Sequence, residues 1–202
     1  MRTSWKRSVL GLLNPFRTAI AGIGQKPGED DVRRMLLDDF DFSNINFEKK
    51  LDHTYRTFAS FKSTDAINRA RKNGSITAIR IFRDDTKKTS LRIQVTPFVS
   101  LNDAVSSVET TIDNFRLKLG RRIEAQNSVE GLIVPEVSGV MVIDILGTGP
   151  TGQTGDRILA GAVNNVLLKM SFQADGNIEE LCPWGTITEI ANRQAQRIHD
   201  CS

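Results

Sequence analysis

Cysteine, histidine and aromatic residues are scarce in this 202-residue chain, and each shortage removes a class of function. The two cysteines, Cys182 and Cys201, are too few for a disulfide framework. They flank a predicted helix over 185–199, whose ends lie about 20 Å apart, beyond the reach of a disulfide. Both read as free thiols, which favours a reducing compartment, cytoplasmic or membrane-peripheral. His53 and His199 are the only histidines. Neither belongs to a ligand-spaced cluster, so no metal site is expected. Cys201 follows His199 by two residues, a spacing that does not bring side chains together on a helix. Aromatics make up 6% of the chain, leaving no evident stacking platform for single-stranded nucleic acid. No apolar run approaches the roughly 18 residues of a membrane-spanning helix. There is no G-x-S-x-G elbow and no G-x-x-x-x-G-K-[ST] loop, so the common hydrolase and NTPase signatures are missing.

Acids are absent from the first 26 residues, which carry Arg2, Lys6, Arg7, Arg17 and Lys26, a charge of +5. Residues 27–202 then hold 22 basic and 24 acidic residues, a charge of −2. The basic character therefore belongs to an N-terminal segment, and the body is mildly acidic. A nucleic-acid-binding domain should carry its basic excess on the folded body, so nucleic acid is not the expected partner. Basic pairs at Arg71-Lys72, Lys87-Lys88 and Arg121-Arg122 read as solvated ends of elements.

On a helix, Trp5, Val9, Leu12, Phe16 and Ile20 of that segment share a narrow apolar stripe, with Lys6, Arg7 and Arg17 on the flank and far side. Leu10 departs from the pattern, and Pro15 divides it or restarts it as a second short helix. Such a segment suits an anionic membrane surface, with those eight residues as the contacts. Three other readings stand beside it. A secretory signal fits poorly, because Pro15 and Arg17 interrupt the apolar region, though Ala19-Ile20-Ala21 resembles a cleavage site. An organelle transit peptide has the same amphipathic, acid-free character, and an ordinary helix would pack the stripe on its own domain.

The order of elements predicts an α+β fold for 27–202, taken as one domain. Glu29-Asp30-Asp31 opens a short helix. Residues 48–73 read as polar helix, with Leu51, Tyr55, Phe58, Ile67 and Ala70 inward. Ile76–Arg83 and Leu91–Thr96 form a hairpin about a polar turn. Arg80 is the irregularity there, sharing a strand face with Phe82. A helix follows, opened by Ser100 or Asn102, with Ala104, Val105, Val108, Ile112, Phe115 and Leu119 inward and Gly120 closing it. Val140–Leu146 and Ile158–Phe172 give a second hairpin, and the helix over 185–199 buries Ile187, Ile190, Ala191, Ala195 and Ile198. Strand, turn, strand, helix thus occurs twice. The expectation is an antiparallel sheet of two hairpins with helices packed on one face, plus the basic amphipathic N-terminal extension.

The sharpest motif is Gly147-Thr-Gly149-Pro-Thr-Gly152, a G-x-G-x-x-G after an apolar strand. As a dinucleotide site it would use Gly147, Gly149 and Gly152 at the pyrophosphate and Asp175 at the ribose. That is the alternative reading, a nucleotide-dependent enzyme with the glycine-rich loop at 147–155. Against it, Gly155, Gly161 and Asn164-Asn165 occupy the required crossover helix, and about 30 residues after Phe172 are too few for the remaining strands. A hairpin loop explains the glycines, so no cofactor is expected. The acidic groups at Asp30-Asp31, Asp38-Asp39-Asp41 and Asp84-Asp85 read as turns and helix ends. The chain is read as a non-enzymatic structural or interaction protein. One form of this is a self-associating peripheral membrane scaffold, its partner an anionic membrane surface, another protein or its own copy.

Overall fold

The computed structural model of the protein describes residues 27–42, 46–56, 76–119, 125–128, 134–149 and 152–201. Among the described residues, seven strands form one antiparallel sheet in the order β1-β2-β3-β7-β6-β5-β4. They are β1 (Glu48–Arg56), β2 (Ile76–Asp84), β3 (Thr89–Pro97), β4 (Ala125–Ser128), β5 (Ser138–Gly149), β6 (Gly152–Val163) and β7 (Val166–Asp175). The helices are α1 (Glu29–Arg34), α2 (Leu101–Leu119), α3 (Ile178–Leu181) and α4 (Trp184–Cys201), with a 3₁₀ turn at Asp39–Phe42. The fold is α+β, as the order of elements predicts.

The halves meet at β3 and β7, where Ile93 stands opposite Met170. Strands β1-β2-β3 and β7-β6-β5 run outward from this seam like a duplication, but the helices do not follow it. Helix α2 lays Ala104, Val108 and Ile112 on Ile143, Ile145, Ile158 and Ala160. Helices α1 and α4 pack on a second cluster holding Phe82, Leu91, Ile93, Leu159 and Met170. Ile158 and Leu159 are neighbours in one strand, so the two clusters lie on opposite faces of the sheet. The expectation of helices on one face is thereby corrected. The signal was the unbroken apolar run Ile158–Val163, which marks a strand covered on both sides.

Two further corrections concern strands. Residues 48–56 are β1, paired antiparallel to β2, and not the start of a helix. Leu51 and Tyr55 share a face on a strand as they do on a helix, so their four-residue spacing does not discriminate. That face is the outer one: Leu51 is 45% and Tyr55 37% exposed. Phe58, Ile67 and Ala70 lie outside the described residues. The stretch 158–172 is two strands, turning at Asn164-Asn165, where Asn164 takes φ 51°. Asparagine tolerates this left-handed conformation better than most residues.

Helix α2 is opened by Ser100, whose Oγ accepts from Asp103 N (3.2 Å) and donates to Asp103 Oδ2 (2.9 Å). This resolves the choice between Ser100 and Asn102. Helix α1 is short, so its last carbonyls need outside partners. Helix α4 and Arg80 of β2 supply partners for these carbonyls and for those just after the helix. Buried Gln194 donates through Nε2 to Met35 O (2.5 Å) and accepts from Leu37 N (3.0 Å). Arg197 Nε donates to Arg34 O at 3.0 Å, and Arg80 Nη1 donates to Leu36 O and Leu37 O at 3.1 and 2.8 Å. Arg80 is thus no error in the β2 pattern. It is buried on the core face, where its Nη2 also meets Asp52 Oδ2 at 3.0 Å.

Candidate functional site

Strand residues alternate between faces, so cross-strand partners form rows. One row runs Arg83, Ser90, Gln173, Asp156 across β2, β3, β7 and β6. It belongs to the face that carries α2, near the end of the sheet where β2 turns into β3. Ser90 Oγ donates to Gln173 Oε1 at 3.3 Å. Burial pushes the Asp156 carboxyl up from its ordinary range, while a hydrogen bond with Gln173 pulls it down. Asp156 Oδ1 is buried and has no hydrogen-bond partner. Such an oxygen is costly unless something donates to it.

The β2–β3 turn follows Arg83, and its first buried acid, Asp84, lies on the opposite face of the sheet, the one that carries Phe82. Asp84, 2% exposed, accepts from Thr86 N and Lys87 N, both at 3.0 Å, through Oδ1. This is an Asx-type turn, and Lys88 takes φ 52° within it. Asp84 Oδ2 is buried and without a partner. Lys88 O accepts from Asp175 N at 3.1 Å, tying the turn to the end of β7. Together these residues line an open groove of about 570 Å³.

A second cluster lies on the opposite face and holds α3 and α4 in place. Arg157 is fully buried. Its Nε donates to Asp144 Oδ1 at 2.8 Å, its Nη1 donates to Cys182 O at 2.6 Å, and its Nη2 is in ion contact with Glu179. Its Cζ lies 4.7 Å from the centroid of the Trp184 ring. Sequence reasoning missed this arginine because the pair Asp156-Arg157, between a glycine-rich stretch and an apolar run, reads as a solvated turn.

The glycines of the G-x-G-x-x-G motif belong to an antiparallel hairpin. Gly147 stands opposite Thr154 and Gly149 opposite Gly152. A dinucleotide site needs the strand to turn into a helix whose N-terminus faces the pyrophosphate, and β5 is followed by strand β6 instead. Asp175 is at the far end of β7, opposite Thr154, and its Oδ2 lies 4.0 Å from Lys88 Nζ. The nucleotide reading is corrected: the hairpin arms stay paired to their tips, and 147–149 is not a loop.

His53 is exposed on β1, its ring 6.1 Å from that of Tyr55 and stacked with it. His199 Nε2 lies 2.6 Å from Glu136 Oε2. The thiols of Cys182 and Cys201 are free, and burial pushes both upward from the ordinary thiol range, away from the thiolate a nucleophile needs. Among the described residues, no group of three or more His, Cys, Asp or Glu is arranged to hold a metal ion. None of their helices is long and apolar enough to cross a membrane. The membrane-contact residues Trp5, Lys6, Arg7, Val9, Leu12, Phe16, Arg17 and Ile20 lie outside the described residues.

No family model matches the chain, and no curated protein matches it. Among solved structures, it resembles the extracellular domain of PknH from Mycobacterium tuberculosis, with a TM-score of 0.52 and 12% identity. The match covers 86% of this chain and 98% of that one. At this identity the likeness is one of fold, reaching across nearly the whole of the PknH domain.

Proposed function

We propose that the protein is a non-enzymatic interaction module held at an anionic membrane surface by residues 1–26. The observation that carries this reading is the division of charge, +5 in residues 1–26 against −2 in 27–202. A basic segment with an apolar stripe binds lipid headgroups through both terms, while an acidic body is repelled by them. The described body supports a binding role rather than a catalytic one. Its thiols are shifted away from reactivity, its buried Arg80 and Arg157 are committed to carbonyls and carboxylates, and its fold is that of an extracellular domain in another protein. Self-association is the further part of the proposal, with the membrane concentrating copies on one surface.

Sedimentation with vesicles tests it. The 202-residue chain should pellet with phosphatidylserine-containing vesicles and remain in solution with neutral ones. Replacing Arg2, Lys6, Arg7, Arg17 and Lys26 by Gln should abolish pelleting, since each basic residue near such a surface contributes about 1 kcal/mol. Equal pelleting of the two proteins would rule out the charge-led mechanism.

A further inference from the structure

The two ends of the sheet differ. Strand β4 has four residues, whereas β1 runs for nine and, among the described residues, pairs only with β2. An edge of that length offers its outward N–H and C=O groups to another extended chain unless lysine, proline or a bulge spoils it. Lys49, Lys50 and the bulge between Lys49 and Leu51 guard only the start of β1. The stretch Leu51–Tyr55 beyond them holds neither lysine nor proline. We propose that this stretch joins its counterpart in a second copy of the chain, antiparallel and edge to edge, which gives self-association its surface.

Two observations single out a second copy. First, the stretch is self-complementary. About a two-fold axis through His53, perpendicular to the sheet, Leu51 of each copy stands opposite Tyr55 of the other, and His53 opposite His53. These three side chains share one face and are exposed, and Leu51 and Tyr55 are two of the four exposed large apolar side chains among the described residues. An aliphatic–aromatic cross-strand pair is favourable, and the axis makes it twice. On the other face Asp52 stands opposite the uncharged Thr54, and its carboxylate is already met by Arg80 and Arg33 of its own copy. No two lysines, arginines or acids oppose each other over these five positions, and the bulge at Lys50 ends the pairing.

Second, the chain enters the fold at this edge. Thr54 Oγ1 donates to Glu29 Oε2 at 3.5 Å, and Arg33 Nε lies 3.4 Å from Asp52 Oδ1, so α1 begins beside β1. An axis perpendicular to the sheet keeps both α1 helices on the same face, flanking the joint. Pro27, where residues 1–26 join, then lies on one side of the sheet in both copies. On the membrane reading, which this part rests on, two segments of +5 each are aimed at one surface. A five-residue ladder buries less than the about 1,200 Å² of a standard interface, so association is weak in solution and strengthened where both segments are anchored.

Sedimentation equilibrium of the 202-residue chain without lipid tests the joint independently of membrane docking. The mass should rise from 22.5 kDa toward twice that value as concentration approaches about 1 mM. Combining Leu51→Lys with Tyr55→Lys, both at exposed positions, should leave the melting temperature unchanged and weaken association at least about tenfold. Oxidative cross-linking reads the register in a Cys201→Ser chain, where the remaining Cys182 is buried. His53→Cys sets two thiols opposite each other on the axis and should give a covalent dimer. Leu51→Cys leaves them four residues apart, about 13 Å, and should not. A mass of 22.5 kDa at every concentration would overturn the proposal. So would association that survives the double substitution, or equal cross-linking at positions 51 and 53. A monomer whose pelleting with anionic vesicles falls on the double substitution would overturn it in favour of a lipid contact.

Discussion

Arg157 is the largest fully buried side chain described, and its energetics follow from what it leaves behind when removed. Arg157→Ala strands Asp144, itself only 13% exposed, and frees the Cys182 carbonyl. The expected cost is about 3–5 kcal/mol, read as a fall in the urea midpoint at unchanged slope. Pairing Arg157→Met with Asp144→Val removes both charges and should recover most of that loss. Gln194 is the comparable case on α4. Gln194→Leu leaves Met35 O and Leu37 N buried without their partner and should cost about 1–3 kcal/mol per unsatisfied group.

Two carboxylates give the pH dependence, with opposite signs. The hydrogen bond from Lys49, with the charges of Arg80 and Lys49, holds Asp38 below its ordinary value of 3.8. Its contribution is present above that value and is lost as pH falls through the depressed folded one. Asp156 is raised by burial, so the folded state holds its proton more firmly than the unfolded chain does. Its contribution declines as pH rises from 3.8 through the raised value. Asp156→Asn should therefore raise the melting temperature at neutral pH and change little near about pH 3, where both states are protonated. A lower melting temperature at neutral pH would show that Asp156 has a cation partner within the chain.

At the scale of elements, glycine illustrates how local propensity misleads. Gly155 and Gly161 argue against a helix in the sequence, and they do lie in a strand, but the reason is packing. A Cβ at Gly161 would stand 2.3 Å from Val137 Cγ1, and one at Gly155 would stand 2.7 Å from Ile178 Cβ. Gly161→Ala should destabilise by about 1–3 kcal/mol, and Val137→Ala in the same chain should restore part of it, as thermal melts would show. What was legible in the sequence rests on periodicity and punctuation. The β2–β3 hairpin, helix α2 with its inward Ala104, Val108 and Ile112, and helix α4 with its inward Ile187 to Ile198 all carry clear patterns. Strand β1 was illegible because Leu51 and Tyr55 fit either periodicity, and four-residue β4 is too short to show one. The groove was illegible for another reason. Arg83, Ser90, Asp156 and Gln173 are up to 90 positions apart, and only strand order brings them into one row. Asp84-Asp85 reads as a turn, which it is, and nothing local shows that the turn also lines a groove.

At the scale of the molecule, the likeness to the PknH extracellular domain extends over 98% of that domain at 12% identity, so architecture is shared while surfaces are free to differ. The basic excess of this chain belongs to its first 26 residues, and their role divides into two exclusive pictures. In one, the stripe Trp5, Val9, Leu12, Phe16, Ile20 enters lipid; in the other, it packs on the domain. Salt separates the electrostatic and apolar shares of the first, because screening removes the former and leaves the latter. The body alone, residues 27–202, should show no appreciable affinity for DNA or RNA at physiological salt, given its charge of −2. Micromolar binding with a steep salt dependence in a filter or anisotropy assay would contradict that.

Trp5 and Trp184 are the only tryptophans, so a Trp184→Phe variant makes Trp5 the sole tryptophan reporter. Its emission, followed as anionic vesicles are added, tests the membrane-docking claim most directly. Docking predicts a red, solvent-exposed spectrum in buffer that shifts to the blue with vesicles and is quenched by brominated acyl chains. Emission that is blue in buffer and indifferent to both vesicles and bromine would place Trp5 inside the protein and contradict the claim.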